Sequence, residues 1–228
     1  MATNTDQPGT MYDLSSVLDV EPLQAVRPGS SILITGPAMT GKQGLAYDIL
    51  ADGVSANQGA IIVSTGDRAE TVIDEFAGRV GSDEFDLGVI DCAGDQQTTA
   101  PNTDINAFTH HVGSPGDLTG IGIGITEALE ALHGRGADRG RLALSSLSTM
   151  LTYTDRKTVF KFCHVLSSRL EAAEYLGLFT IDASAHDEQT LQVIKQAFDG
   201  MIEIRETDGQ REARVRGLTS EPSEWVEL

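Results

Sequence analysis

Lysine is scarce in this 228-residue chain. Only Lys42, Lys157, Lys161 and Lys195 occur, and 16 Lys plus Arg face 34 Asp plus Glu, for a net charge of −18. The segments after Ser145 and around "ASAHDE" carry no cluster of basic and aromatic side chains, which puts nucleic acid last among expected partners. The acids are spread along the whole chain rather than gathered in a tail. Diffuse acidity with few lysines suits molar salt, where screening offsets self-repulsion. It therefore says little about the charge of any partner.

Cysteine is nearly absent too. Cys92 in "GVIDCAG" and Cys163 in "FKFCHVL" sit in apolar contexts with no CxxC or Cys/His spacing. Two buried free thiols are expected, rather than a disulfide or a metal site. No run of about 18 apolar residues exists, so no membrane span is expected. The start, "MATNTDQPGT", lacks the apolar core of a signal peptide. A cytoplasmic protein follows as the expectation.

The length fits one α/β domain with a full core. Residues 1–12 read as a flexible tail, 13–217 as the domain and 218–228 as a C-terminal tail, with a short helix expected at "YDLSSVL". Strands are predicted at 30–35, 59–65, 87–92, from 141 and at 178–184, each a short apolar run between turn signals. Helices are predicted at "KQGLAYDILADG", 67–81, 114–136, 155–177 and 187–200. Residues 93–113 read as a long irregular loop. "MIEIRE-TDGQ-REARVRG" alternates on either side of Asp208-Gly209 and predicts a β-hairpin. Near-continuous apolar strands alternating with helices imply a mostly parallel sheet with helices on both faces, extended by an antiparallel hairpin.

The chemistry concentrates in "SILITGPAMTGKQGLAYDIL". Here "GPAMTGK", residues Gly36, Pro37, Ala38, Met39, Thr40, Gly41 and Lys42, fits G-x-x-x-x-G-K between a strand and a helix. Glycines let successive N–H groups turn inward, the helix N-terminus adds positive potential, and the lysine offers a point charge to β- and γ-phosphates. The candidate ligand is ATP or ADP. The next residue departs from the pattern: Gln43 stands where Ser or Thr would give Mg²⁺ a small hydroxyl.

A phosphate loop of this type is paired with an apolar strand ending in the Asp that holds the metal, and the candidate is "RLALSSLSTML". At this point the chain resembles the RecA-superfamily ATPases of the KaiC and RadA-like branch. "PGSSILITGPAMTGK" is similar to that family's entry into its loop, "GAIIVSTGDRAETVIDEF" to its second strand and helix, and "ARVRGL" to its arginine-bearing late strand. With its charge, the chain looks most like small, divergent KaiC-like proteins of salt-loving archaea. The resemblance implies a RecA-like core and assigns roles. Ser145 stands at the metal-binding Asp position. Asp67 is the nearest substitute for the catalytic glutamate. Asp182, ending "FTID", takes the place of a polar sensor, and Arg214 and Arg216 that of arginines reaching a neighbour's phosphate in a homo-oligomer.

With Gln43 and Ser145 at the two metal-ligand positions, Mg²⁺ and efficient hydrolysis are in doubt, while binding through Lys42 and the loop survives. The leading expectation is a degenerate nucleotide-binding protein that regulates an unknown protein partner. The alternatives are a working Mg²⁺-dependent ATPase and an interaction scaffold without ligand. Of the remaining residues, Asp91 reads first as a helix or turn cap and second as a metal or water ligand, His110 and His111 as a loop contact to a neighbouring subunit rather than a metal pair, and Gly120, Gly122 and Gly124 as close helix packing or a flexible helix start.

Overall fold

A computed structural model of the protein describes residues 10–82, 84–94, 105 and 107–228. Five inner strands come from the apolar runs: β1 (Ser31–Gly36), β2 (Gly59–Ser64), β3 (Leu87–Asp91), β5 (Gly140–Ser145) and β6 (Leu176–Asp182). All but the last residue of β6 are buried. That double-sided burial is why they read as continuous rather than alternating apolar sequence. Strand β4 (Phe108–His111) lies at one edge, and β7 (Gly200–Thr207), β8 (Gln210–Arg216) and β9 (Val226–Glu227) form the other side. The order across the sheet is β4-β3-β2-β5-β6-β1-β7-β8-β9. Pairing is parallel from β4 to β7 and antiparallel through β7, β8 and β9.

Helices cover both faces. On one, α1 (Lys42–Ser55) and α2 (Ala69–Val80) pack Leu45, Ile49, Val72 and Phe76 against Ile32, Ile34, Ile62 and Ile202. On the other, α3 (Leu118–Gly134), α4 (Leu147–Tyr153), α5 (Arg156–Ala172) and α6 (Glu188–Lys195) pack Ile125, Met150, Leu166 and Ile194 against Leu33, Val63, Leu144 and Phe179. Gly124 of α3 admits the His110 ring and Ile90, whose atoms would stand 2.7 and 3.1 Å from a Cβ there. Gly124 thus packs closely, whereas a Cβ on Gly122 would meet nothing within 4 Å. None of the described helices is long and apolar enough to cross a membrane.

Several boundaries differ from expectation. "YDLSSVL" does not form a helix. Tyr12 bridges Val26, a turn follows, and Glu21–Leu23 form a 3₁₀ turn, with Tyr12, Leu14, Leu18 and Leu23 buried. Tyr12, placed in the tail by sequence, has its hydroxyl 2.9 Å from the Gly140 carbonyl and 2.8 Å from that of Glu174. Residues 1–9 of the expected tail lie outside the described residues. Within 93–113, residues 95–104 and 106 also lie outside them, but Phe108–His111 is a strand. Its burial alternates because an edge strand is covered on one face only.

Helix α5 stops at Ala172, not Gly177. Glu174 turns left-handed at φ +56, and Gly177 lies inside β6, where Leu170 leaves no room for a side chain. Residues 218–228, expected as a tail, include β9, which pairs Glu227 with Glu212. The hairpin turn is as expected: Asp208 and Gly209 have φ of 53° and 80°, the left-handed pair of a type I′ turn. Cys92 and Cys163 are free and buried, and burial pushes each thiol up to about 12.

Candidate functional site

Parallel pairing brings the carboxyl ends of the inner strands to one edge of the sheet, where α/β folds place their ligands. The register aligns Gly36 with Asp182, Ser64 with both Ser145 and Asp91, and Asp91 with His111. The strand-end residues singled out in the sequence therefore share this carboxyl edge, with Gly36 and Asp182 two residues beyond the row of Ser64, Ser145 and Asp91. A cleft of about 450 Å³ opens above it, bordered by Gly41, Lys42, Gln43, Asp67, Ser145 and Thr180.

The loop from β1 to α1 curls over this edge. Gly36 lies so close to the hairpin that a Cβ there would stand 2.6 Å from the Ile204 carbonyl oxygen. Gly41 caps α1 at φ +83, a conformation that favours glycine. The Thr40 hydroxyl donates to the Pro37 carbonyl at 2.9 Å, and the Lys42 ammonium donates to the same oxygen. The Ala38 amide points at Ser184 Oγ, 3.4 Å away, and Met39 at the tip is 94% exposed. Burial lowers the Lys42 pKa, and the negative charge of Asp182 partly offsets this.

Asp182 ends β6 and closes a turn. Its Oδ1 accepts from the Ser184 amide at 3.0 Å and the Ser184 hydroxyl at 2.7 Å. Burial pulls its pKa upward, but the Ser184 hydrogen bonds and the Lys42 charge outweigh it, and the carboxyl is held below its ordinary value.

Gln43 and Ser145 meet. Ser145 Oγ donates to Gln43 Oε1 at 3.1 Å. The other end of the same amide, Nε2, is directed at Asp67 Oδ2, 3.5 Å away, and at the Tyr47 hydroxyl, 3.3 Å away. Tyr47 is fully buried one helical turn on, and burial raises its pKa, keeping the phenol neutral. Asp67 is held from below: Ser64 Oγ donates to its carbonyl at 2.7 Å and accepts from its amide at 3.0 Å. Thr65 joins the same corner to β5, its hydroxyl donating to the Ser145 carbonyl at 2.9 Å and accepting from the Ser146 amide at 2.8 Å.

These donors do not suit Mg²⁺, which demands near-octahedral oxygen ligands at about 2.0–2.1 Å. A cation at Gln43 Oε1 would have to displace the Ser145 proton, and one at Asp67 would meet the Gln43 amide protons. Among the described residues, no group of three or more His, Cys, Asp or Glu is arranged to hold a metal.

The other candidates are engaged with partners of their own. Asp91 caps: its Oδ2 accepts from the Ala69 amide at the start of α2 at 3.0 Å, and its Oδ1 from the Ala93 amide at 2.8 Å. His110 contacts Glu127 at 2.9 Å and His111 contacts Asp91 at 3.3 Å, both within the chain. Arg214 and Arg216 both reach Glu203, at 2.8 and 3.4 Å, and Arg214 also covers the Trp225 ring. Sequence reasoning missed Tyr47, Thr65 and Ser184. Only Tyr47 had a local signal, being four residues from Gln43 on one helix face.

The strand order, the loop between β1 and α1 and the antiparallel hairpin together define a RecA-like, P-loop NTPase-type fold. In three dimensions the chain is similar to the KaiC-like protein PH0186 of the hyperthermophilic archaeon Pyrococcus horikoshii OT3, known from a crystal structure. The TM-score is 0.60 over 90% of this chain and 87% of that one, at 13% identity. In sequence the chain belongs to a family of unknown function (DUF7504), whose model matches residues 29–204. No curated protein matches the sequence.

Proposed function

We propose that the protein is a P-loop nucleotide-binding module that holds ATP or ADP without a divalent metal and hydrolyses it poorly or not at all. What supports this is the hydrogen bond from Ser145 to Gln43 Oε1, which joins the two positions where the fold's metal ligands are expected. Phosphoryl transfer relies on positioning and on metal neutralisation of the developing charge. Losing one preorganised electrostatic contact costs about 3–4 kcal/mol in a transition state. Binding makes smaller demands, and Lys42 with the loop amides meets them.

Such a module acts by presenting different surfaces with and without nucleotide, so the role is regulatory, toward a protein partner or a second copy of the chain. The acidic surface suits a cytoplasm of high salt.

Calorimetric titration of ATP and ADP in molar KCl, with Mg²⁺ and then with EDTA, tests the reading. Wild type should bind equally in both, and Lys42→Ala should bind on the order of tenfold to a hundredfold more weakly, the scale of one hydrogen bond to a charged group. Absence of binding by the wild type would end it. Mg²⁺-dependent phosphate release that disappears in Lys42→Ala would replace it with an active ATPase, Asp67 then being the polarising carboxylate.

A further inference from the structure

The β7–β8 hairpin carries four arginines: Arg205, Arg211, Arg214 and Arg216. Side chains alternate between the two faces of a strand, and three of the four share one face. Arg205 pairs with Glu212 at 2.7 Å, while Arg214 and Arg216 pair with Glu203. The Trp225 ring centroid lies 3.9 Å from the Arg205 guanidinium and 4.5 Å from that of Arg214.

Arg211 is on the other face, in line with Ala213 and Val215, the residues that pack toward α1. Its guanidinium lies directly over Gly41: a Cβ built on that glycine would collide with Arg211 Nη1. Among the described residues Arg211 has no carboxylate within ion-pair reach, although Glu206 is its cross-strand neighbour. The three arginines of the other face are neutralised, and this one is not.

Arg211 is exposed, with only solvent and the loop around its charge as it stands. The N-terminus of α1 already carries positive partial charge, and the Lys42 ammonium is one residue further on. A second cation held there, unpaired, is stabilised when an anion enters the loop. Arg211 approaches Gly41 from the hairpin, whereas the Gln43–Ser145 corner borders the cleft toward β2 and β5. The loop thus has a cationic group on the flank away from the damaged metal positions.

We infer that Arg211, supplied by the chain's own hairpin, is a second cationic contact for the phosphate chain of a nucleotide held in the Gly36–Lys42 loop. It takes over charge neutralisation that a metal would otherwise provide. The inference rests on the nucleotide-binding reading above. A guanidinium suits the task because it stays charged and offers several donors in a fixed plane.

The test compares ADP with inorganic tripolyphosphate, titrated in EDTA into wild type, Lys42→Ala, Arg211→Ala, Arg211→Lys and Arg27→Ala. Arg27 is an exposed arginine just before β1, at the opposite sheet edge, and controls for bulk charge. Arg211→Ala should weaken both ligands about tenfold or more, Arg211→Lys should recover part of the loss, and Arg27→Ala should match wild type. Unchanged melting temperatures in the absence of ligand would show that all variants fold. If Arg211→Ala binds like wild type while Lys42→Ala does not, the inference fails and the nucleotide reading stands. Weaker ADP with unchanged tripolyphosphate would move the contact to the base and overturn it equally. No binding of either ligand to wild type would remove both.

Discussion

Ser145 Oγ and Gln43 Oε1 are 3.1 Å apart across 102 residues of sequence. Each alone reads as the loss of a metal ligand. Together they form a pair: a serine hydroxyl and a carboxamide fill each other's hydrogen-bonding capacity, which under the proposed function stands in for the aspartate and hydroxyl of a metal-dependent ATPase. The amide is also oriented. With its oxygen committed to Ser145, its NH₂ must point to Asp67 and Tyr47.

Because the two substitutions are coupled, reversing one should not restore a metal site. Gln43→Thr leaves the Ser145 hydroxyl without its acceptor. Ser145→Asp sets a carboxylate against the Gln43 amide oxygen in a position only 9% exposed. Each single variant should lose about 1–2 kcal/mol of stability. The double variant should lose less than the sum and should bind nucleotide more tightly with Mg²⁺ than with EDTA. A double-mutant cycle on denaturant unfolding, with matched titrations, checks both parts. Additive stability losses with no Mg²⁺ dependence would refute the coupling.

The opposite edge of the sheet is held by another long-range polar contact. Arg141 is the second residue of the strand that ends in Ser145, and its side chain is 2% exposed. It donates to Asp52 at 2.9 Å, to Gln58 at 2.8 Å and to the Ile49 carbonyl at 2.5 Å, and it lies 5.7 Å from the Tyr12 ring centroid. Burial lowers its pKa, and Asp52 partly counters this. Arg141→Ala strands these acceptors and should cost about 3 kcal/mol, the lower end for a broken buried pair, because Asp52 keeps 26% exposure. Nucleotide affinity should be unchanged at temperatures where the variant is folded. Urea unfolding and a titration measure the two. A loss under 1 kcal/mol would mean that water replaces the arginine.

Much of this architecture was legible. The inner strands announced themselves because burial on both faces demands unbroken apolar runs such as "AIIV", Ala60–Val63. The loop was legible because its glycines and lysine are adjacent in sequence, and the hairpin because Asp208-Gly209 suits only left-handed turns.

What escaped notice depends on distance in sequence. Strand β4, half-exposed at the edge, reads "FTHH" and has no apolar signature. The N-terminal segment is fixed by Tyr12 against Gly140 and Glu174, partners 128 and 162 residues away. Arg214 and Arg216 stood out by resemblance, whereas Arg211, three residues earlier on the other face, became visible only once the hairpin had a register.

Asp182 offers a pH test of the site's electrostatics. Its carboxyl is held below its ordinary value despite an opposing desolvation, because the Ser184 hydrogen bonds and Lys42 favour the charged form. A depressed carboxylate stabilises the fold above its unfolded pKa, about 3.9. That contribution is lost as pH falls through the lower folded value. Asp182→Asn keeps an acceptor for Ser184 but abolishes the charge. It should be less stable than wild type at pH 7 by roughly half a kcal/mol, a figure kept small because the group is partly solvated. The deficit should begin to close only once the pH falls below about 3.9, as the wild-type side chain takes up a proton. Melting curves of both proteins between pH 7 and 3 in molar KCl give the difference directly. A deficit that stays constant over the whole range would mean that Asp182 acts through turn geometry alone. In that case Lys42 would gain nothing from its charge.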